Sequence, residues 1–223
     1  MTIQKADLKS GFSSAGLCLA IVLLAAGLIA SSSCGESPTQ PEQAEGSSCL
    51  DLAVFGDPAE SLYVLPFPVG DSHVLRQGYC NPTNTHWYQF AYDFAMPIGS
   101  PIVAARGGTV LRVEEQWPDT DSNPMHLNRV DIVHEDGTLA LYAHLMENGV
   151  LVEVGNIVIQ GQLIAHGGSS AVAIPLLHFQ VYRTQNWRDE MGADIPINFR
   201  NADGPLDHRN GLIQGETYTA LPW

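Results

Sequence analysis

The chain has 223 residues, 45% of them hydrophobic, with 24 acidic against 10 basic side chains and a formal net charge of −14. That length supports one good core plus appendages. A surface this acidic repels phosphate backbones and anionic lipid, which argues against nucleic acid or an anionic bilayer as the partner.

The chain opens on a weakly basic stretch whose only cations are Lys5 and Lys9, followed by an uncharged apolar run from Ala15 to Ala30 and then Ser31-Ser32-Ser33-Cys34. A positive start, an apolar middle and small residues before a break read as an export signal over 1–33. The run of 16 falls short of the roughly 20 residues a spanning helix needs. Ser-Ser-Ser-Cys-Gly resembles a bacterial lipoprotein cleavage site, although Ser31 stands where Leu is usual. Cys34 is therefore the candidate lipid site, and a plain export signal or an uncleaved helix is the alternative. Loss of residues 1–33 removes both lysines and one acid, leaving eight arginines against 23 acids. The expected location is the periplasm or cell envelope, with the membrane touched only through a lipid anchor or signal helix. Cys49 and Cys80 remain as an even pair in an oxidising compartment, which suggests a disulfide; two unpaired thiols are the other possibility.

Residues 34–60 are rich in Ser, Glu, Gln and Pro and read as a flexible tether. From Leu62 short apolar runs alternate with turn residues. Strands are expected at 63–67, 101–105, 109–113, 130–134, 139–144, 150–154, 157–159, 162–165 and 178–182. Gly107-Gly108, Asp136-Gly137, Asn148-Gly149, Gly155-Asn156, Gly161 and Gly167-Gly168 read as turns. Short strands at this spacing indicate an all-β, antiparallel β-sheet or β-sandwich domain, and no long helical period follows the signal. Residues 152–165 resemble the halves of lipoyl and biotinyl carrier domains, the barrel-sandwich hybrids. Those carriers attach their cofactor to lysine, and the exported chain has none, so a carrier role is excluded. The aromatic-rich end, 201–223, is expected to pack on the domain.

Three short signatures carry chemistry: Tyr92-Asp93-Phe94, Tyr142-Ala143-His144-Leu145 and Leu177-His178-Phe179. Each sets a carboxylate or imidazole beside residues that would anchor a strand. One carboxylate and two imidazoles converging could bind zinc.

In order along the chain, 92–110, 130–145 and 174–181 resemble the blocks of the lysostaphin-type (LytM-like) zinc metallopeptidases, which cut peptide bridges in bacterial cell walls. The resemblance covers about 105 residues and implies a lysostaphin-like peptidase domain over 61–200. It implies Asp93 and His178 as zinc ligands, His144 as a catalytic histidine, and peptidoglycan peptides as substrate. Two departures stand out. The family pattern places a histidine four residues before the aspartate, where this chain has Gln89. The nearest histidine, His86, is seven residues ahead; an odd spacing puts it on the opposite strand face, so it could join only from a loop or bulge. His86 is taken as the third ligand on that basis. The closing motif carries two histidines in the family, the first of them catalytic, and here the first position is Leu176. His166 is the nearby imidazole that could compensate.

These residues also admit structural readings: Asp93 as a turn carboxylate, His178 as a core imidazole, His144 as strand-end packing. His134 reads as structural, and His73, His126 and His208 lie in polar contexts without a role. Two functions therefore stand: a zinc endopeptidase of the cell wall, or an eroded relative that binds peptidoglycan or activates a partner wall hydrolase.

Overall fold

The computed structural model describes residues 48–82, 85–86, 89–186 and 193–223. The export signal, Cys34 and most of the expected tether lie outside them. Among the described residues no helix is long and apolar enough to cross a membrane.

The architecture is antiparallel and almost entirely β. Twelve strands are described: β1 (Ser72–Gln77), β2 (Ala91–Ala95), β3 (Pro101–Val103), β4 (Gly108–Glu114), β5 (Arg129–Val133), β6 (Leu139–Ala143), β7 (Leu145–Val150), β8 (Ile157–Val158), β9 (Leu163–Gly167), β10 (Leu176–Tyr182), β11 (Ala202–Asp203) and β12 (Thr217–Ala220). Nine form the main sheet in the order β11-β12-β1-β2-β10-β6-β5-β4-β8, and β3-β9-β7 form a smaller one. Among the described residues a four-residue α-helix, α1 (Cys49–Leu52), closed at its start by a capping box between Ser48 and Asp51, and a short 3-10 turn at Pro58–Glu60 precede them.

The period-2 alternation of the strands assigns the two faces of the main sheet. One face carries Leu75, Tyr92, Phe94, Leu177, Phe179, Val181, Tyr142, Val130, Ile132 and Val110, all buried in the principal core. Phe179 pairs with Tyr92 on one side and Tyr142 on the other, and the Phe179 and Phe199 rings lie 5.7 Å apart. The opposite face carries Asp93, His178, Ala143 and Arg129 in one row, because Asp93 pairs with His178, His178 with Ala143, and Ala143 with Arg129.

Several expectations are corrected. The tether does not run to residue 60: Cys49, Ala53 and Phe55 are buried in the core, because the disulfide of Cys49 to Cys80 draws this apolar stretch onto the domain. Residues 63–67 are buried but form no strand. Pro66 and Pro68 lack ladder donors, and the Leu65 amide donates to the Asn201 side chain instead. The strand expected at 150–154 lies earlier, as β7. Asn148 and Gly149 are no turn; they sit in a register shift between Leu145 and Val150, with Asn148 at φ 53°, which is a bulge within the strand. Gly108 likewise begins β4, where an added Cβ would lie 2.4 Å from the Val133 carbonyl. β1 is an additional strand whose polar sequence gave no alternation to read. Residues 201–223 supply β11 and β12, and Tyr218 is fully buried.

Candidate metal centre and catalytic histidine

The site rests on the middle of the main sheet. In Tyr92-Asp93-Phe94 and Leu177-His178-Phe179 the flanking side chains go into the core, so the central residue of each must project from the other face. Register pairs Asp93 with His178 directly. The His178 Nδ1 lies 2.8 Å from Asp93 Oδ1. His86 arrives from outside the ladder, in the segment joining β1 to β2, and is buried. Its Nε2 stands 3.3 Å from Asp93 Oδ1 and 3.2 Å from His178 Nδ1.

These three side chains are the candidate metal group among the described residues, each offering one donor atom with all donors within 4.8 Å of one another. Their donor set is two imidazole nitrogens and one carboxylate oxygen, the composition zinc takes when three protein ligands leave the fourth position open. Bonds of 2.0–2.2 Å in a tetrahedron put neighbouring donors about 3.3–3.6 Å apart, so the observed spacings need an outward shift of a few tenths of an ångström. The residues fit the metal.

Each imidazole has its remote nitrogen engaged, the outer arrangement that fixes a ligand's tautomer. His86 Nδ1 donates to the Gly78 carbonyl at 3.1 Å. His178 Nε2 donates to Gln180 Oε1 at 3.2 Å. Gln180 is buried and lies two residues further along the same face. Its amide donates to Asp194 Oδ2 at 3.0 Å, which also accepts from the Phe90 amide at 2.6 Å. Burial would raise the Asp93 carboxyl, but the hydrogen bonds from His178 and His86 outweigh it and hold the group well below the usual carboxylate range. Burial would lower His178, and the bond to Asp93 raises it above the ordinary value instead.

His144 stands at the junction of the two sheets, between β6 in the main sheet and β7 in the smaller one. Its φ of 63° is a left-handed conformation that few non-glycine residues adopt, and it turns the chain from one sheet to the other. The ring centroid is 6.0 Å from that of His178, nearly perpendicular. Its Nδ1 donates to the Ser170 carbonyl at 2.7 Å, which leaves Nε2 as the acceptor nitrogen. Burial first, then repulsion from His178, pushes this imidazole down to about 4, so it is neutral at physiological pH and able to take a proton.

The structure thus brings His86, Asp93 and His178 together and sets His144 beside them. His166 is not in the candidate metal group: it lies in β9 of the smaller sheet and bonds to the Gly149 carbonyl at 3.3 Å. Leu176 occupies the same face as His178, two residues before it, and is buried. Sequence reasoning missed Gln180, whose signal was its place on the His178 face, and Asp194, which no periodicity marks. The carbonyls of Gly78 and Ser170 carry no sequence signal at all.

Residues 88–190 match the model of peptidase family M23. This segment is similar to peptidase family M23. The matched segment contains Asp93, His144 and His178 and begins two residues after His86. Among curated proteins, the chain is 35% identical over 106 residues to peptidoglycan DD-endopeptidase ShyB of Vibrio cholerae, covering 47% of this chain and 23% of that protein. It is 36% identical over 89 residues to the uncharacterized lipoprotein YgeR of Escherichia coli, covering 40% of this chain and 32% of that protein. The chain thus spans only about a quarter to a third of these relatives. Among solved structures, a zinc containing peptidase from Vibrio cholerae aligns with 28% identity and a TM-score of 0.41, over 54% of this chain and 37% of that one.

Proposed function

We propose that the chain is a zinc-dependent endopeptidase that hydrolyses peptide bonds in bacterial cell-wall peptidoglycan, exported and held at the cell envelope through Cys34. The observation that carries this reading is the convergence of His86, Asp93 and His178 donors, with a neutral imidazole beside them, inside an M23 domain whose curated relatives include peptidoglycan DD-endopeptidases.

A bound zinc ion would supply Lewis acidity and a water of lowered pKa at neutral pH. His86, Asp93 and His178 would hold it. His144 Nε2 accepts a proton while the Ser170 carbonyl fixes the ring through Nδ1. The face next to His178 offers only an aliphatic side chain, Leu176, where the family pattern supplies a second imidazole. Absence of one preorganised donor to a developing oxyanion costs roughly 10²–10³ in rate, so slow turnover is expected.

Leu176 also supports a second reading, a module that binds peptidoglycan peptides or activates another wall hydrolase without cutting. Zinc content and cleavage of peptidoglycan stem peptides separate the two. Protein purified without chelator should hold about one zinc per chain and release peptide fragments slowly, and Leu176→His should speed release at unchanged zinc content. Zinc with no cleavage by either protein leaves the binding module. No zinc under any loading condition refutes the enzyme.

A further inference from the structure

His86 reaches the site by a different route from its two partners. Asp93 and His178 are fixed by strand register, whereas His86 stands seven residues ahead of Asp93 on a segment outside every ladder. A donor carried that way is placed only by what ties its segment down, and ordering a free segment costs about 1–2 kcal/mol per residue in backbone entropy.

The ties converge on a short neck at the end of β1. The His86 ring donates to the Gly78 carbonyl. The His86 carbonyl accepts from the Asn81 amide at 3.0 Å, and the Gln89 carbonyl accepts from the Cys80 amide at 2.9 Å. Gln77 Nε2 donates to the Thr85 hydroxyl at 3.1 Å. Residues 77–81 thus hold both sides of the segment. Cys80, in the middle of this neck, adopts φ 48°, a left-handed conformation that persists in a non-glycine residue only when its surroundings impose it. It is also the residue covalently joined to Cys49 in α1. α1 is capped by its own box, and Phe55 just beyond it packs edge-on against Tyr79 at 4.8 Å. The cross-link therefore couples the buried N-terminal segment to the point from which His86 is suspended.

We propose that the Cys49–Cys80 disulfide is a positioning element of the metal centre: it clamps the 77–81 neck and so holds His86 Nε2 against Asp93 and His178. The proposal rests on the reading of these three residues as the zinc site. It makes zinc affinity, and not only fold stability, depend on the cross-link.

The probe is zinc alone, titrated against a chromophoric chelator into full-length exported protein. Four forms are compared: wild type, C49A/C80A, H86A and the triple variant. Loss of the cross-link should weaken zinc about tenfold or more, the scale on which outer-shell partners act. In the H86A background the same loss should leave zinc affinity unchanged, because the two changes act through one residue. Thermal unfolding of the zinc-free proteins should fall in both backgrounds, since a disulfide stabilises whether or not His86 is present. Equal weakening of zinc in both backgrounds, or none in either, reduces the bond to a structural staple and overturns the proposal. A second variant inserts two glycines after Cys80, keeping the cross-link but slackening its hold on His86. It too should lose zinc affinity, and unchanged affinity overturns the proposal even if C49A/C80A does not fold. A wild-type protein that takes up no zinc overturns both the clamp and the metal reading, whereas zinc uptake indifferent to the cross-link overturns the clamp alone.

Discussion

His134 gives the protein an acid sensitivity that a single substitution should remove. Its ring is buried, Nδ1 donates to the Gly107 carbonyl at 2.9 Å, and Nε2 is buried with no hydrogen-bond partner among the described residues. The Tyr63 ring stands edge-on at 5.6 Å. Burial pushes the imidazole down to about 4, with nearby Arg106 adding to the effect and Asp136 and the Gly107 carbonyl opposing it. The unfolded chain takes up this proton near pH 6.5. The folded state binds fewer protons between these values, so stability from His134 is complete above about pH 6.5 and is lost as pH falls towards 4. A gap of about 2.5 units is worth about 3 kcal/mol, or about 6–12 °C of melting temperature for a domain of this size. His134→Asn keeps an N–H in place of Nδ1 for Gly107 and removes the titration. At pH 7.5 the variant should be less stable than wild type through lost ring packing. Between pH 7.5 and 4 the difference should narrow by about 3 kcal/mol, measured by urea unfolding at half-unit steps. Curves that stay parallel over that range would refute the assignment of a neutral buried imidazole.

Three further outcomes follow from the same geometry. Gln180→Leu should weaken zinc binding about 10–100-fold by removing the acceptor that fixes the His178 tautomer; unchanged affinity would show that Gln180 only fills space. Nitrogen-15 shifts of His178 in the zinc-loaded protein should show the proton on Nε2, held by Gln180 Oε1, and a weakened Nε2 hydrogen bond in Gln180→Leu. Phe179→Ala removes a fully buried ring at the centre of the aromatic core and should cost about 3–5 kcal/mol in denaturant unfolding, while the conservative Phe179→Leu should cost clearly less.

What the sequence made legible follows the two-residue repeat of a strand. Tyr-Asp-Phe and Leu-His-Phe announce a polar side chain set opposite two core residues, and the sheet obeys that. Nothing in a separation of 85 residues says that Asp93 and His178 pair; that came from the resemblance to a family, and the register now supplies the physical reason. His86 was legible as a residue that could join only from outside the strand, and it does. Where local signals failed, a tertiary demand overrode them. Asn148-Gly149 is strong hairpin chemistry, yet β7 runs through it because Leu145 and Val150 both pair with β9. The polar tether turned inward at Cys49 because a covalent bond and two apolar residues outweighed its composition. The Leu176 departure can be placed by the same repeat. Leu176 pairs with Ala95, a small neighbour two positions beyond Asp93 on the same face, and its own side chain points away from the aromatic core that Leu177 and Phe179 fill. On the proposed reading the departure on this face is one side chain, so Leu176→His is expected to change rate without rebuilding the candidate metal centre.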